Sequence, residues 1–314
     1  IRKTPVFAPA YRAWVGAGRR RTALWRTLLG LGIIAVCWTA TTFFVIAVPV
    51  LAQLMSGQSF LLKIPDSAEL SGAMGSIPGA LQSILILLSF TGVWLGVWLA
   101  ARLLHRRSMA SILAARGRWR SGQFWAGFAV AAGFSLVMAL LVIATDPTEM
   151  IAEADPFAWG LYILPLAIAV AIQSCGEEVL FRGYLQQQLA ARIRAPWVWL
   201  ILPAVLFGLL HGGEGWHGVG YVLITALIGI VAGVMVWRTG NLAAAMGLHF
   251  GNNFSVFLLL GPDALPQMLE DPDAARQELT LSTFLIDGGF FLGMLLILLS
   301  ARSPLRAPRA TSHG

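Results

Sequence analysis

The sequence predicts an all-α fold, a polytopic membrane helix bundle of about eight transmembrane helices with both termini cytoplasmic. Three observations carry this prediction. Of 314 residues, 57% are hydrophobic and 12% charged, with a mean hydropathy of +0.74, whereas a soluble domain carries about twice that charged fraction. The apolar residues come in blocks long enough to cross a bilayer. The segments between the blocks alternate in charge, as the cytoplasmic excess of Lys and Arg requires. The formal net charge of +7 is spread over short loops, where it orients spans, so nucleic acid is excluded as a partner and membrane lipid is expected.

Residues 1–26 form a basic cytoplasmic segment holding Arg2, Lys3, Arg12, Arg19, Arg20, Arg21 and Arg26 and no acid. The apolar run that follows is too long for a signal-peptide core and lacks a clear small-residue cleavage site, so it reads as a retained first span. The chain begins at Ile1 rather than Met, which reads as trimming or processing. Apolar runs cover 27–54, 79–104, 122–145, 157–176 (continuing through a charged motif), 196–211, 218–237, 241–260 and 282–301. The runs at 196–211 and 241–260 are short or interrupted by polar residues, which is tolerated only where a helix faces protein or a water-filled cavity.

The connecting segments test this order independently. The first loop holds Lys63, Asp66 and Glu69, and the second is basic, with Arg102, Arg106, Arg107, Arg116, Arg118 and Arg120. The third has only Asp146, Glu149, Glu153 and Asp155; the fourth has Arg192 and Arg194; the fifth has Glu214; the sixth has Arg238. The seventh is acidic, and the tail carries Arg302, Arg306 and Arg309. Eight spans with both termini in the cytoplasm satisfy every loop, whereas seven or nine would put one terminus on the wrong side. The expected organisation is three amino-terminal helices over 27–156, a polar core over 157–260, an outer loop and last helix over 261–303, and a disordered tail over 304–314. Ser108 to Ala115 reads as a short amphipathic helix on the cytoplasmic interface. Cys37 and Cys175 fall inside spans and read as packing residues. The pairs Gly208/Gly212, Gly229/Gly233, Gly247/Gly251 and Gly289/Gly293 would let helices approach closely.

Three polar clusters interrupt the second half. Glu178 and Arg182 lie four apart on one helical face and can pair, while Glu177 points about 100° away. Phe207 and His211 are one turn apart in the fifth run, and His249 and Asn253 share a face of the seventh. An ionisable group at bilayer depth is costly and marks a functional site by default. Each residue alone has a bland reading: a buried structural ion pair for Glu178 and Arg182, interhelical hydrogen bonding for His211 and Asn253. Together they hold most of the polar inventory of their spans.

This set can perform hydrolysis. A desolvated Glu177 can take a proton from water with His211 orienting that water, and His249 and Asn253 can donate to an oxyanion forming at a peptide carbonyl. Glu177, His211 and His249 also form a Glu/His/His set that could bind Zn2+ with an open position for water, although HExxH is absent. Metal-free and metal-assisted readings both stand open here. No GxSxG occurs, which argues against Ser-His-Asp hydrolysis.

In their order, Glu177-Glu178-x-x-x-Arg182, Phe207-x-x-x-His211 and His249-x-x-x-Asn253 resemble the motifs of the CPBP family of intramembrane proteases, which includes type II CAAX prenyl endopeptidases and bacteriocin-processing or immunity proteins. The resemblance covers about 157–260 and implies an abi-type helical core with a cavity open toward the cytoplasm. It also implies that Glu177 and His211 activate water, that His249 and Asn253 form an oxyanion hole, and that Glu178 and Arg182 support the site. The expected activity is cleavage of a peptide or membrane-protein substrate in a bacterial inner membrane. The rivals are a non-catalytic scaffold or bacteriocin-immunity-type protein and a proton-coupled transporter. At 1.5 Å per residue, His211 stands about 25 Å from the cytoplasmic end of its span and His249 about 12 Å from its own, so tilt or unwinding near Gly212-Gly213 must bring them level. Glu214 and His217 lie just beyond as candidates for an extra ligand.

Overall fold

The computed structural model describes residues 9–56, 78–145, 156–212, 215–261, 265 and 281–305. Helix is the only extended regular structure among them, apart from an isolated bridge between Ala114 and Asn241. The elements in order are α1 (Pro9–Gly18), α2 (Leu24–Ser56), α3 (Gly79–Leu88), α4 (Thr91–Leu99), α5 (Ala110–Leu113), α6 (Ser121–Thr145) and α7 (Pro156–Glu178). A π-helical stretch, Val179–Gln186, joins α7 to α8 (Gln187–Arg192). Then follow α9 (Pro196–Leu209), α10 (Gly215–Thr239), α11 (Ala243–Leu260) and α12 (Leu281–Leu299).

Each expected apolar run is occupied by helix. Five stretches among the described residues are long and apolar enough to cross a membrane: Leu24–Val45, Gly79–Leu104, Ser121–Leu141, Trp159–Arg192 and Gly218–Thr239. Pro196–Leu209 and Phe284–Leu299 are shorter apolar helices. Outward faces carry exposed Val36, Phe43, Leu164 and Leu210; an apolar exterior around a core that buries Glu178 and Arg182 is the distribution a lipid solvent selects.

Small residues set the depth of packing. A methyl group added at Gly247 would stand 1.8 Å from the Phe124 carbonyl oxygen, and one at Gly251 would stand 2.7 Å from that of Phe128. Gly127 answers from the other side, against the Ala244 carbonyl. Backbone therefore lies on backbone where α6 crosses α11, which fixes the helix bearing His249. Gly208, Gly229 and Gly233 also meet neighbouring chain, whereas Gly289 and Gly293 face open space, so the fourth expected glycine pair makes no helix contact among the described residues.

The polar end of the bundle departs from expectation. The basic segment 1–26 contains α1, whose Tyr11, Trp14 and Val15 are fully buried against the core. The expected interfacial helix over Ser108 to Ala115 is reduced to the short α5. Its Ile112 is buried and its carbonyl accepts the Trp14 indole N–H at 2.7 Å. Apolar residues beside arginines thus serve internal packing here. Cys37 and Cys175 are both free and partly buried. The acidic loops at 63–69, 146–155 and 270–278 and the tail from 306 lie outside the described residues.

Candidate active site

Helix α7 delivers the first cluster. Its apolar length ends at Glu177 and Glu178, where the backbone changes from α to π geometry over Val179–Gln186. Such π segments are frequent at functional sites. Trp94 ties α4 to this end of α7 by donating its indole N–H to the Ile172 carbonyl at 3.0 Å. Arg182 Nη1 donates to Glu178 Oε1 at 2.8 Å, both side chains being 1% exposed. The pairing read from their spacing is therefore present.

His249, on α11, sits between the two glutamates. Its Nδ1 lies 3.0 Å from Glu178 Oε1 and its Nε2 lies 3.4 Å from Glu177 Oε2. Glu178 Oε1 thus accepts from both Arg182 and His249, which assigns the Nδ1 proton to the imidazole. One turn along, Asn253 Nδ2 donates to Gln173 Oε1 at 3.0 Å and approaches His249 Nε2 at 3.3 Å. With Nδ1 protonated, Nε2 accepts that second amide hydrogen. Among the described residues, Glu177 Oε2 is buried without a hydrogen-bond partner, as are Glu178 Oε2 and Arg182 Nη2.

Phe207 joins the third motif to this cluster. Its ring is edge-on to His249 at 5.6 Å between centroids and 4.5 Å from the ring of His211. The guanidinium of Arg182 lies 4.5 Å from the Phe207 centroid, a cation–π contact in place of a second ion pair. His211 stands in the turn after α9, partly exposed, with Nδ1 2.7 Å from the Phe207 carbonyl oxygen. That bond requires Nδ1–H and leaves the Nε2 lone pair available. Phe207 is thus a common neighbour of the two histidines that the sequence placed at different depths. The structure therefore brings Glu177, Glu178, Arg182, Phe207, His249 and Asn253 together, and attaches His211 at the margin through Phe207.

Gln173 belongs to the cluster and was not anticipated. It lies one turn before Glu177 and is 7% exposed. Its amide type and its position on the Glu177 face of α7 were the available signals. The Zn2+ reading fares differently. Among the described residues no three His, Cys, Asp or Glu side chains group as a metal site, and the His249 Nε2 lone pair is engaged by Asn253. Glu177, His211 and His249 thus do not come together as a three-residue metal site among the described residues. Glu214 and the side chain of His217 lie outside the described residues.

Comparison with known proteins bears on this segment. A curated protein of Bacillus subtilis (strain 168), "Uncharacterized protein YyaK", is 28% identical over 182 residues, covering 52% of this chain and 56% of the relative. The chain thus spans about half the length of the curated relative it matches. No solved structure matches. Residues 158–255, which hold all three polar motifs, match the family described as Rce1-like, Type II CAAX prenyl endopeptidase, and over that segment the resemblance read from the motifs is borne out.

Proposed function

We propose that this protein is an intramembrane endopeptidase that hydrolyses a peptide bond of a peptide or membrane-protein substrate, with eight spans and both termini on the cytoplasmic side of a bacterial inner membrane. The observation that carries this reading is Glu177 Oε2, a buried carboxylate oxygen without a hydrogen-bond partner among the described residues, 3.4 Å from an imidazole that Glu178, itself paired with Arg182, holds in place. A carboxylate so placed can accept a proton from a water molecule entering the cluster. The hydroxide formed attacks the substrate carbonyl carbon, and the proton passes from Glu177 to the amine that leaves. His211 Nε2, an acceptor by virtue of the Nδ1 bond to Phe207, orients the water.

The developing oxyanion needs N–H donors. Asn253 Nδ2 supplies one by exchanging its contact with His249 Nε2 for the substrate oxygen. His249 supplies the second when Nε2 also carries a proton; with the water proton on Glu177, the oxyanion and Glu178 then carry the two negative charges and Arg182 and His249 the two positive ones. A buried cluster whose charges cancel avoids most of the cost of an isolated charge. Removing one donor of this kind in other hydrolases costs about 10²–10³ in kcat.

Profiling of new peptide termini in membranes expressing the wild type, Glu177→Ala or His211→Ala tests the reading. Cleavage products present with the wild type and absent with both variants, at equal membrane levels of protein, are expected. The same products with either variant sink the mechanism. Inactive variants that still complement a deletion would favour a scaffold or immunity role. Prenylated substrates are not carried over to this chain.

A further inference from the structure

At the polar end of the bundle, away from Glu177 and His249, a cavity of about 260 Å³ opens between α1, the segment 115–120 and the turn that joins α10 to α11. Arg116, Arg118 and Arg120 all line it, and no carboxylate does. All three are exposed, and none has an ion-pair partner among the described residues. Arginines that only orient spans need carry no common cavity. These three converge on one.

The cavity is held open by backbone. Ala114 and Asn241 form a bridge, Ala115 N–H donates to the Gly240 carbonyl at 2.7 Å, and Asn241 Nδ2 donates to the Arg118 carbonyl at 2.8 Å. Thr239 Oγ1 donates to the Asn241 carbonyl at 2.9 Å. Ala10 and Ala13 of α1 also line it, small residues that leave the space unfilled. Arg116 adopts φ 54°, a left-handed conformation that is strained for a non-glycine residue and persists only where its surroundings impose it.

The depth of the cavity is marked by the sequence beside it. Exposed Trp119 stands between Arg118 and Arg120, and the long apolar helix α6 starts at Ser121. Indole at the start of an apolar span marks the headgroup level of a membrane. Guanidinium forks match phosphate oxygens in bidentate geometry, and basic pockets at this level suit anionic headgroups. We infer that the cavity lined by Arg116, Arg118 and Arg120 is a phosphate-binding site, with an anionic phospholipid headgroup as its source in the membrane and free inorganic phosphate as the other source of the same chemistry. The site is independent of the protease reading.

The test uses the purified full chain in non-ionic detergent and native mass spectrometry, titrating short-chain phosphatidylglycerol, short-chain phosphatidylcholine and inorganic phosphate. The expected result is binding of phosphatidylglycerol over phosphatidylcholine, weakened about tenfold or more by Arg116→Gln/Arg118→Gln/Arg120→Gln. Ala13→Trp, which fills the space without changing charge, should weaken it similarly. A control, Arg19→Gln/Arg102→Gln/Arg194→Gln, removes the same charge from exposed positions outside the cavity and should change affinity less than about threefold. Inorganic phosphate that binds more tightly than the lipid, with the same response to the cavity variants, assigns the free anion as the source. Equal binding of phosphatidylcholine, or equal losses in the cavity and control variants, overturns the site.

Discussion

Glu178 and His249, 71 positions apart, share a 3.0 Å contact between Oε1 and Nδ1, and the same oxygen accepts from Arg182. One carboxylate therefore neutralises the arginine of its own helix and orients the imidazole of another. Glu178→Gln should strand a buried guanidinium and cost about 3–5 kcal/mol, seen as a large drop in the thermal midpoint in detergent. Glu178→Gln/Arg182→Met should recover part of that loss. A double variant no more stable than Glu178→Gln would show that the pair is not coupled.

The α6–α11 crossing makes a second prediction. Gly247→Ala places a methyl group against the Phe124 carbonyl and should cost about 1–3 kcal/mol or more through overpacking. Gly293→Ala meets open space and should leave the midpoint unchanged or slightly higher. Thermal unfolding of the two variants side by side decides this; equal effects would contradict the packing.

These two cases show what was legible beforehand. The Glu178–Arg182 pair follows from a spacing of four, and Gly247/Gly251 from a helical repeat, because both are local relations. The Gln173–Asn253 bond spans 80 positions and has no local signature. The burial of Tyr11, Trp14 and Val15 was hidden by the arginines around them, since charge at a membrane surface and charge over a packed helix look alike in sequence. The π segment after Glu178 leaves no compositional mark. The motifs named the site residues that lie together, and the marginal position of His211 emerged only from the end of α9 at Leu209.

Gln173 holds the amide of Asn253, so Gln173→Leu should release it and lower kcat by less than the ~10²–10³ of losing an oxyanion donor outright, with little change in KM. Gln173→Glu keeps an acceptor at the same position and should restore part of the rate. Kinetics on a cleavage product identified by terminal profiling provide the measurement. Full activity in Gln173→Leu would remove Gln173 from the site.

Acidity should act through His105. Its Nδ1 donates to the Arg21 carbonyl and its Nε2 accepts from the Tyr184 hydroxyl, each at 2.9 Å. Burial lowers its pKa below 6.5; the Arg21 carbonyl opposes this, and the charges of Arg107, Arg26 and Arg21 add to it. The unfolded chain therefore takes up a proton near pH 6.5 that the folded chain refuses, and stability should fall as pH drops below that value. Thermal midpoints from pH 7.5 to 5 should decline in the wild type and flatten in His105→Gln. Parallel curves would contradict this assignment.

In the proposed mechanism Glu177 takes the proton from water. Glu177→Gln keeps the size of the side chain and removes the base, so the decisive measurement is the cleavage rate of this variant at a thermal midpoint matching the wild type. Loss of cleavage by at least about 10²-fold is expected. Cleavage at the wild-type rate by a folded Glu177→Gln protein would contradict it.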